Sequence, residues 1–161
     1  AIGSRDEGHP FVGDFGPVGL WLFMGGDWTA LSIINADYMI EADVDHSGTD
    51  ELVGDFSGVG LWLYDDLTGW EILSGLDAEW TVAADTDGDA AQELAVDFGP
   101  LGIWHYDGGS WNQISGVDPE NITAGDLDND GAEEIVADFG TVGLWLWNGG
   151  VWSQISANNP D

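Results

Sequence analysis

The stretch DLDNDGAEE, residues 126–134, places five carboxylates within nine residues. Like charges held that close repel one another, and a bound cation relieves the repulsion. The pattern recurs as DVDHSGTDE from Asp43 and DTDGDAAQE from Asp85. In each copy the side-chain oxygens fall at the first, third, fifth and ninth positions. The last copy offers Asp126, Asp128, Asp130 and Glu134. The middle copy offers Asp85, Asp87, Asp89 and Glu93, and the first offers Asp43, Asp45, Ser47 and Glu51. Alternate residues of a tight loop can turn toward one centre, and the seventh position adds a backbone carbonyl, from Thr49, Ala91 or Ala132. Hard oxygen donors in that number suit Ca²⁺ better than Mg²⁺ or a transition metal. About three ions are therefore expected, one per loop. Their binding would count as folding energy, because the empty loops repel themselves.

The three loops are not equivalent. Gly131 and Gly48 stand at the sixth position, where the chain bends sharply, and Ala90 stands there in the middle copy. If Ala90 adopts a left-handed backbone, the cost is about 1 kcal/mol. Ser47 replaces a carboxylate in the first copy. The Ala90 backbone and the carboxylate lost at Ser47 together rank the loop at 126 above that at 85, and that at 85 above that at 43. The loop closes at its ninth residue, where an EF-hand needs Glu at its twelfth.

The whole chain shares the bias of these loops. Its 161 residues carry 31 acidic and one basic side chain, Arg5, for a formal charge of −30. Nothing could neutralise phosphates, so nucleic acid and anionic membrane are excluded as partners. Ordinary salt bridges have no donor beyond position 5, and a cationic partner is required. A high-salt habitat would also favour such a surface, because salt screens its self-repulsion. Disorder is excluded by a 43% hydrophobic content that includes ten Trp. There is no Cys, hence no disulfide framework. No apolar run is long enough to span a bilayer, so no membrane insertion is expected. The start, AIGSRDEGHP, shows no signal-peptide pattern, as a mature secreted chain would not.

A repeat positions the loops. DFGPVGLWLF begins at Asp14, DFSGVGLWLY at Asp55, DFGPLGIWHY at Asp97 and DFGTVGLWLW at Asp138, about 41 residues apart. Each unit reads as four short strands. In the third unit these are WTVAAD (80–85), ELAVDF (93–98), LGIWHY (101–106) and WNQIS (111–115). The acidic loop joins the first two, and a Gly-rich hairpin joins the last two. The third strand is apolar on both faces, as expected of a strand packed between neighbouring sheets. No window holds a helical period. The fold class predicted is all-β: a β-propeller of about four four-stranded blades in a single domain. Residues 38–79, 80–120 and 121–161 form complete blades, and 1–37 supply only strands two to four. The N-terminal blade is incomplete, so the ring is open or is completed by a partner chain. Self-association through the open blade edge is expected. Eight Trp recur at fixed places, four in the third strand and four opening the fourth. They read as blade-to-blade core, whereas Trp80 and Trp147 fall outside the repeat.

DLDNDGAEEIVADF and DTDGDAAQELAVDF resemble the FG-GAP/VCBS repeats of integrin-α-like β-propellers, over about residues 10–161. That resemblance implies Ca²⁺ in the hairpin between the first two strands of each blade. Ile2 and Ser4 stand where a fourth loop would need Asp, so no ion is expected at the N-terminus. The function expected is a non-enzymatic, calcium-stabilised, extracellular propeller for adhesion or self-assembly, with a protein or glycan partner. The alternative is a carbohydrate-binding lectin of the propeller type. Its candidate sugar contacts are Trp80, Asn112, Trp147 and Asn148, near the hairpin ends. No catalytic residue is expected. His9, His46 and His105 do not recur at matching places, and His105 reads as a surface strand residue. Asp14, Asp55, Asp97 and Asp138 read as turn caps rather than acids. The sequon NIT at 121–123 starts a strand, as Tyr38 and Trp80 do, which disfavours a glycan on Asn121.

Overall fold

A computed structural model describes residues 11–159 of the chain. It is all-β, with four antiparallel sheets each built from strands consecutive in sequence. The first has three strands: β1 (Phe11–Asp14), β2 (Leu20–Met24) and β3 (Asp27–Ser32). The second has β4 (Tyr38–Ala42), β5 (Glu51–Phe56), β6 (Gly60–Asp65) and β7 (Gly69–Ser74). The third has β8 (Trp80–Ala84), β9 (Glu93–Asp97), β10 (Ile103–Asp107) and β11 (Ser110–Ser115). The fourth has β12 (Asn121–Gly125), β13 (Glu134–Asp138), β14 (Leu144–Asn148) and β15 (Val151–Ser156). These are the blades of a four-bladed propeller-like arc, and among the described residues they do not close into a ring. The expectation about Ile2 and Ser4 lies outside the described residues.

The turn between the second and third strands follows from its residues. Asp14, Asp97 and Asp138 each accept the amide of the glycine two residues on, within 2.9 Å, and a single 3₁₀ turn follows. That turn moves the start of β10 to Ile103, two residues later than the sequence suggests. In the second blade Ser57-Gly58 replaces Gly-Pro, and Asp55 instead accepts the Ala78 amide at 3.0 Å, reaching toward the next blade. Gly102 shows why glycine must end this turn. Its φ is 72°, and a Cβ there would lie 2.3 Å from the Ser115 carbonyl.

Blades pack face to face through three apolar cores. One joins Val53, Leu61 and Leu63 of the second blade to Leu94, Val96 and Phe98 of the third. Another joins Ala95 and Ile103 to Ile122, Ile135 and Trp147, and the last joins Leu20 to Ala36 and Phe56. Middle strands of the second and third blades are therefore largely buried on both sides, as all six residues of β5 are.

The two sets of repeating Trp divide the work. Those opening the fourth strand latch one blade to the one before it. Trp70, Trp111 and Trp152 donate their indole N–H to the carbonyls of Leu31, Leu73 and Ile114, at 3.0, 3.1 and 2.8 Å. Those of the third strand stay within their own blade. Trp21, Trp62, Trp104 and Trp145 donate to Val18, Val59, Leu101 and Val142 and staple the preceding turn. Among the described residues, three of the eight recurrent Trp thus carry a blade-to-blade hydrogen bond.

Candidate metal loops and the clefts beside them

Each acidic loop links the first and second strands of its blade, and its carboxylates organise it by accepting backbone amides. In the middle loop Asp85 accepts the amides of Gly88, Asp89 and Ala90, at 2.7, 3.1 and 2.9 Å. Asp43 and Asp126 do the same work in the other two loops. To present these amides the chain turns left-handed twice. His46, Gly88 and Asn129 do so at the fourth position, and Gly48, Ala90 and Gly131 at the sixth. Ala90, with φ 78°, carries the strain expected from its sequence position.

The structure gathers the first, third and ninth residues of every loop. Asp43, Asp45 and Glu51 offer oxygens within 4.8 Å of one another, as do Asp85, Asp87 and Glu93, and Asp126, Asp128 and Glu134. The fifth residue stays outside these groups. Asp89 and Asp130 turn back onto the amides of Ala91 and Ala132, and Ser47 onto that of Thr49. Ala91 is buried, while Thr49 is exposed and Ala132 lies between.

The ninth residue is the informative one. Glu51, Glu93 and Glu134 are almost fully buried. One oxygen of each is satisfied inside the loop. Glu51 Oε2 accepts the Val44 amide at 2.9 Å, Glu93 Oε2 that of Thr86 at 2.7 Å, and Glu134 Oε2 that of Leu127 at 2.8 Å. The other oxygen of Glu51 and of Glu93 is buried with no hydrogen-bond partner among the described residues. A buried carboxylate oxygen without a donor is costly. Burial accordingly pushes the Glu51 and Glu93 carboxyls up from their ordinary range. A cation bounded by Asp43 and Asp45, or by Asp85 and Asp87, removes that cost. The residues therefore fit a hard divalent ion.

In the third loop a side chain supplies the donor that the other two lack. Asn148, at the end of β14, donates its amide to Glu134 Oε1 at 2.9 Å and approaches Asp128 Oδ2 at 3.4 Å. The matching strand ends carry Asp107 and Asp65, which cannot donate. Asp65 instead caps its own hairpin through Thr68. Counting carboxylates could not reveal this, because Asn148 lies fourteen residues beyond Glu134.

Neighbouring loops are tied together. The Gln92 amide donates to the Asp43 carbonyl at 2.8 Å, and that of Glu133 to the Asp85 carbonyl at 2.6 Å. Glu133 also accepts the Asp85 amide, and His46 Nδ1 lies 3.3 Å from Asp89. Order in one loop is thus passed to the next blade. A further trio, His46, Glu93 and Asp107, spans the second and third blades.

The four candidate sugar contacts do not converge. Trp147 is buried in a core, with its ring 5.1 Å from that of His105. Asn148 serves the third loop. Asn112 is exposed on β11, opposite His105. Trp80 is exposed at the start of β8 and stacks on Tyr38, 6.2 Å away. His105 is likewise not a surface residue. It is buried, shares the Thr86 hydroxyl with Glu93, and is kept below its ordinary pKa by that burial. Thr86 and His105 replace the apolar pair Val44 and Leu63 of the preceding blade, so the exchange is paired. One apolar concavity was not anticipated. It is a cleft of about 420 Å³ between the first two blades, lined by Leu31–Ile34, Phe56, Val59, Trp62 and Trp70.

A second carboxylate group joins blades. Glu79, Asp97 and Asp118 lie within 4.8 Å of one another. Burial, reinforced by Asp118 and Glu79, pushes the Asp97 carboxyl up to about 6, from 3.8. Because the folded value is raised, the native chain binds the proton first. Stability from this group is fully present below pH 4 and is lost as pH rises through about 6. A shift of this size corresponds to about 2–3 kcal/mol. Asp97→Asn keeps the acceptor for Gly99 and removes the charge. Without divalent cations it should melt several degrees above the parent at pH 7, with the gap shrinking at pH 5. A lower melting point at both pH values would show that the carboxylate is needed charged.

No family model matches the chain, and no curated protein matches it. Among solved structures it is similar to a lectin from Agrocybe aegerita, described as recognising non-reducing terminal N-acetylglucosamine. The TM-score is 0.57 at 14% identity, over 91% of this chain and 51% of that one, so the chain spans about half the length of that structure. The likeness is one of fold.

Proposed function

We propose that the chain is a non-enzymatic, calcium-stabilised recognition propeller that binds carbohydrate. One observation carries the calcium part: the buried, partnerless oxygens of Glu51 and Glu93, each beside two further carboxylates. Loops of this kind, with modest donor counts, match the millimolar calcium found outside cells, which supports an extracellular setting. The pattern of first, third and ninth carboxylates also supports membership among FG-GAP/VCBS-type repeats. Because Asn148 competes for Glu134, the middle loop should bind calcium more tightly than the third, although the loop sequences alone place the third first.

The carbohydrate part rests on the cleft between the first two blades and on the fold likeness to a lectin. Trp62 and Trp70 supply amphipathic ring faces, and residues 31–34 supply backbone polar groups along an apolar wall. That combination suits a pyranose bearing an acetamido methyl. A glycan array followed by calorimetry with N-acetylglucosamine, in calcium, tests it. Binding is expected, and Ile34→Glu, at a half-exposed position on the cleft wall, should weaken it at least tenfold. An array without a hit removes the carbohydrate reading and leaves the calcium loops untouched.

A further inference from the structure

The three internal junctions are copies of one interface, and the two ends of the arc each display half of it. At a junction, the incoming blade contributes a second-strand apolar residue, the Phe after the turn-capping Asp, and the latching Trp of its fourth strand. In the third blade these are Leu94, Phe98 and Trp111, and the first two are buried. The first blade carries Phe11, Phe15 and Trp28 at the same repeat positions, and they are 49%, 50% and 43% exposed. The Trp28 ring packs on Phe11, Phe15 and Phe23, yet among the described residues its N–H meets no acceptor. The receiving half shows the converse. Val44, Val53, Leu61 and Leu63 of the second blade are buried under the third. Their counterparts in the fourth blade are Leu127, Val136, Leu144 and Leu146. Leu127 is 57% exposed and the others are only half-buried. The carbonyl matching the latch acceptors of Leu31, Leu73 and Ile114 belongs to Ile155, whose side chain is 51% exposed.

We infer that a second copy of this chain docks head to tail, with Trp28 of one copy latched onto the Ile155 carbonyl of the other. The interface is heterologous, since the two faces differ, and two copies can close only by using both junctions. Charge opposes the docking, because each copy carries −30. Association should therefore strengthen with salt, as the screening length falls from about 10 Å at 0.1 M to about 3 Å at 1 M.

Sedimentation velocity of the 161-residue chain in calcium tests this, at low and high salt. The expected species has twice the 17.2 kDa chain mass and increases with salt and protein concentration. Trp28→Ala and Ile155→Asp should each weaken it at least tenfold. Trp28→Phe, which keeps the ring and removes the N–H, should weaken it less, so a misfolded first blade is not mistaken for a lost latch. Mixing the Trp28→Ala and Ile155→Asp chains should restore a heterodimer, because one intact junction then remains. A chain that stays monomeric at high salt, or variants that fail to complement, overturns the proposal.

Discussion

Chelation should lower the melting temperature of this chain by ten degrees or more. A site with a dissociation constant near 0.1 mM, in 10 mM calcium, adds about 2.7 kcal/mol of stability. Two such sites, around Glu51 and Glu93, add about 5 kcal/mol, and a chain of this size shifts by about 2–4 °C per kcal/mol. The loops are also joined through the Gln92 and Glu133 amides, so an emptied loop loosens the junction it borders. Glu93→Gln sharpens the expectation. Its amide can donate within the loop as Asn148 does to Glu134, so the variant should melt higher than the parent in chelator. It should also lose about half of the calcium response. Differential scanning calorimetry reads both effects. Melting curves that coincide with and without chelator would contradict the assignment, and so would magnesium as effective as calcium.

Trp111→Ala should destabilise the chain by about 3–5 kcal/mol, the range for removing a large aromatic from a core. The ring contacts Phe98 and Tyr106 at 5.7 and 4.9 Å, and its N–H satisfies the Leu73 carbonyl. Trp111→Phe, which removes the latch and spares most of the packing, should cost about 1 kcal/mol. The same change at Trp28 should leave the monomer's stability almost unaltered, because that N–H has no acceptor among the described residues. Urea denaturation of the three variants, at a concentration where the chain is monomeric, separates the contributions. Equal losses at positions 28 and 111 would show that the inter-blade hydrogen bond contributes nothing.

The blades were legible because their signals are local and repeated. Asp97-Phe98-Gly99-Pro100 specifies its own turn, and Gly102 is demanded by a carbonyl in the adjacent strand. The sharp bend at Ala90 was visible from its loop position, and the structure gives it a left-handed backbone. What escaped depends on contacts between strands or blades. Asn148 reaches the third loop only because β14 pairs with β13, which brings the strand end beside Glu134. His105 looked like a surface residue because a single strand does not show that Thr86 faces it across the sheet. Trp62 and Trp70 occupy equivalent-looking apolar positions, and only the assembled arc shows that one staples a turn while the other grips the previous blade. The expected sugar contacts lie near hairpin ends, whereas the apolar cleft lies between the first two blades.

Equilibrium dialysis against calcium, with bound ions counted per chain, tests the central claim most directly. The parent should hold two ions firmly and a third more weakly, and Glu51→Gln and Glu93→Gln should each remove one of the firm pair. A parent that binds none at millimolar calcium, or variants that bind as many as the parent, would contradict the account.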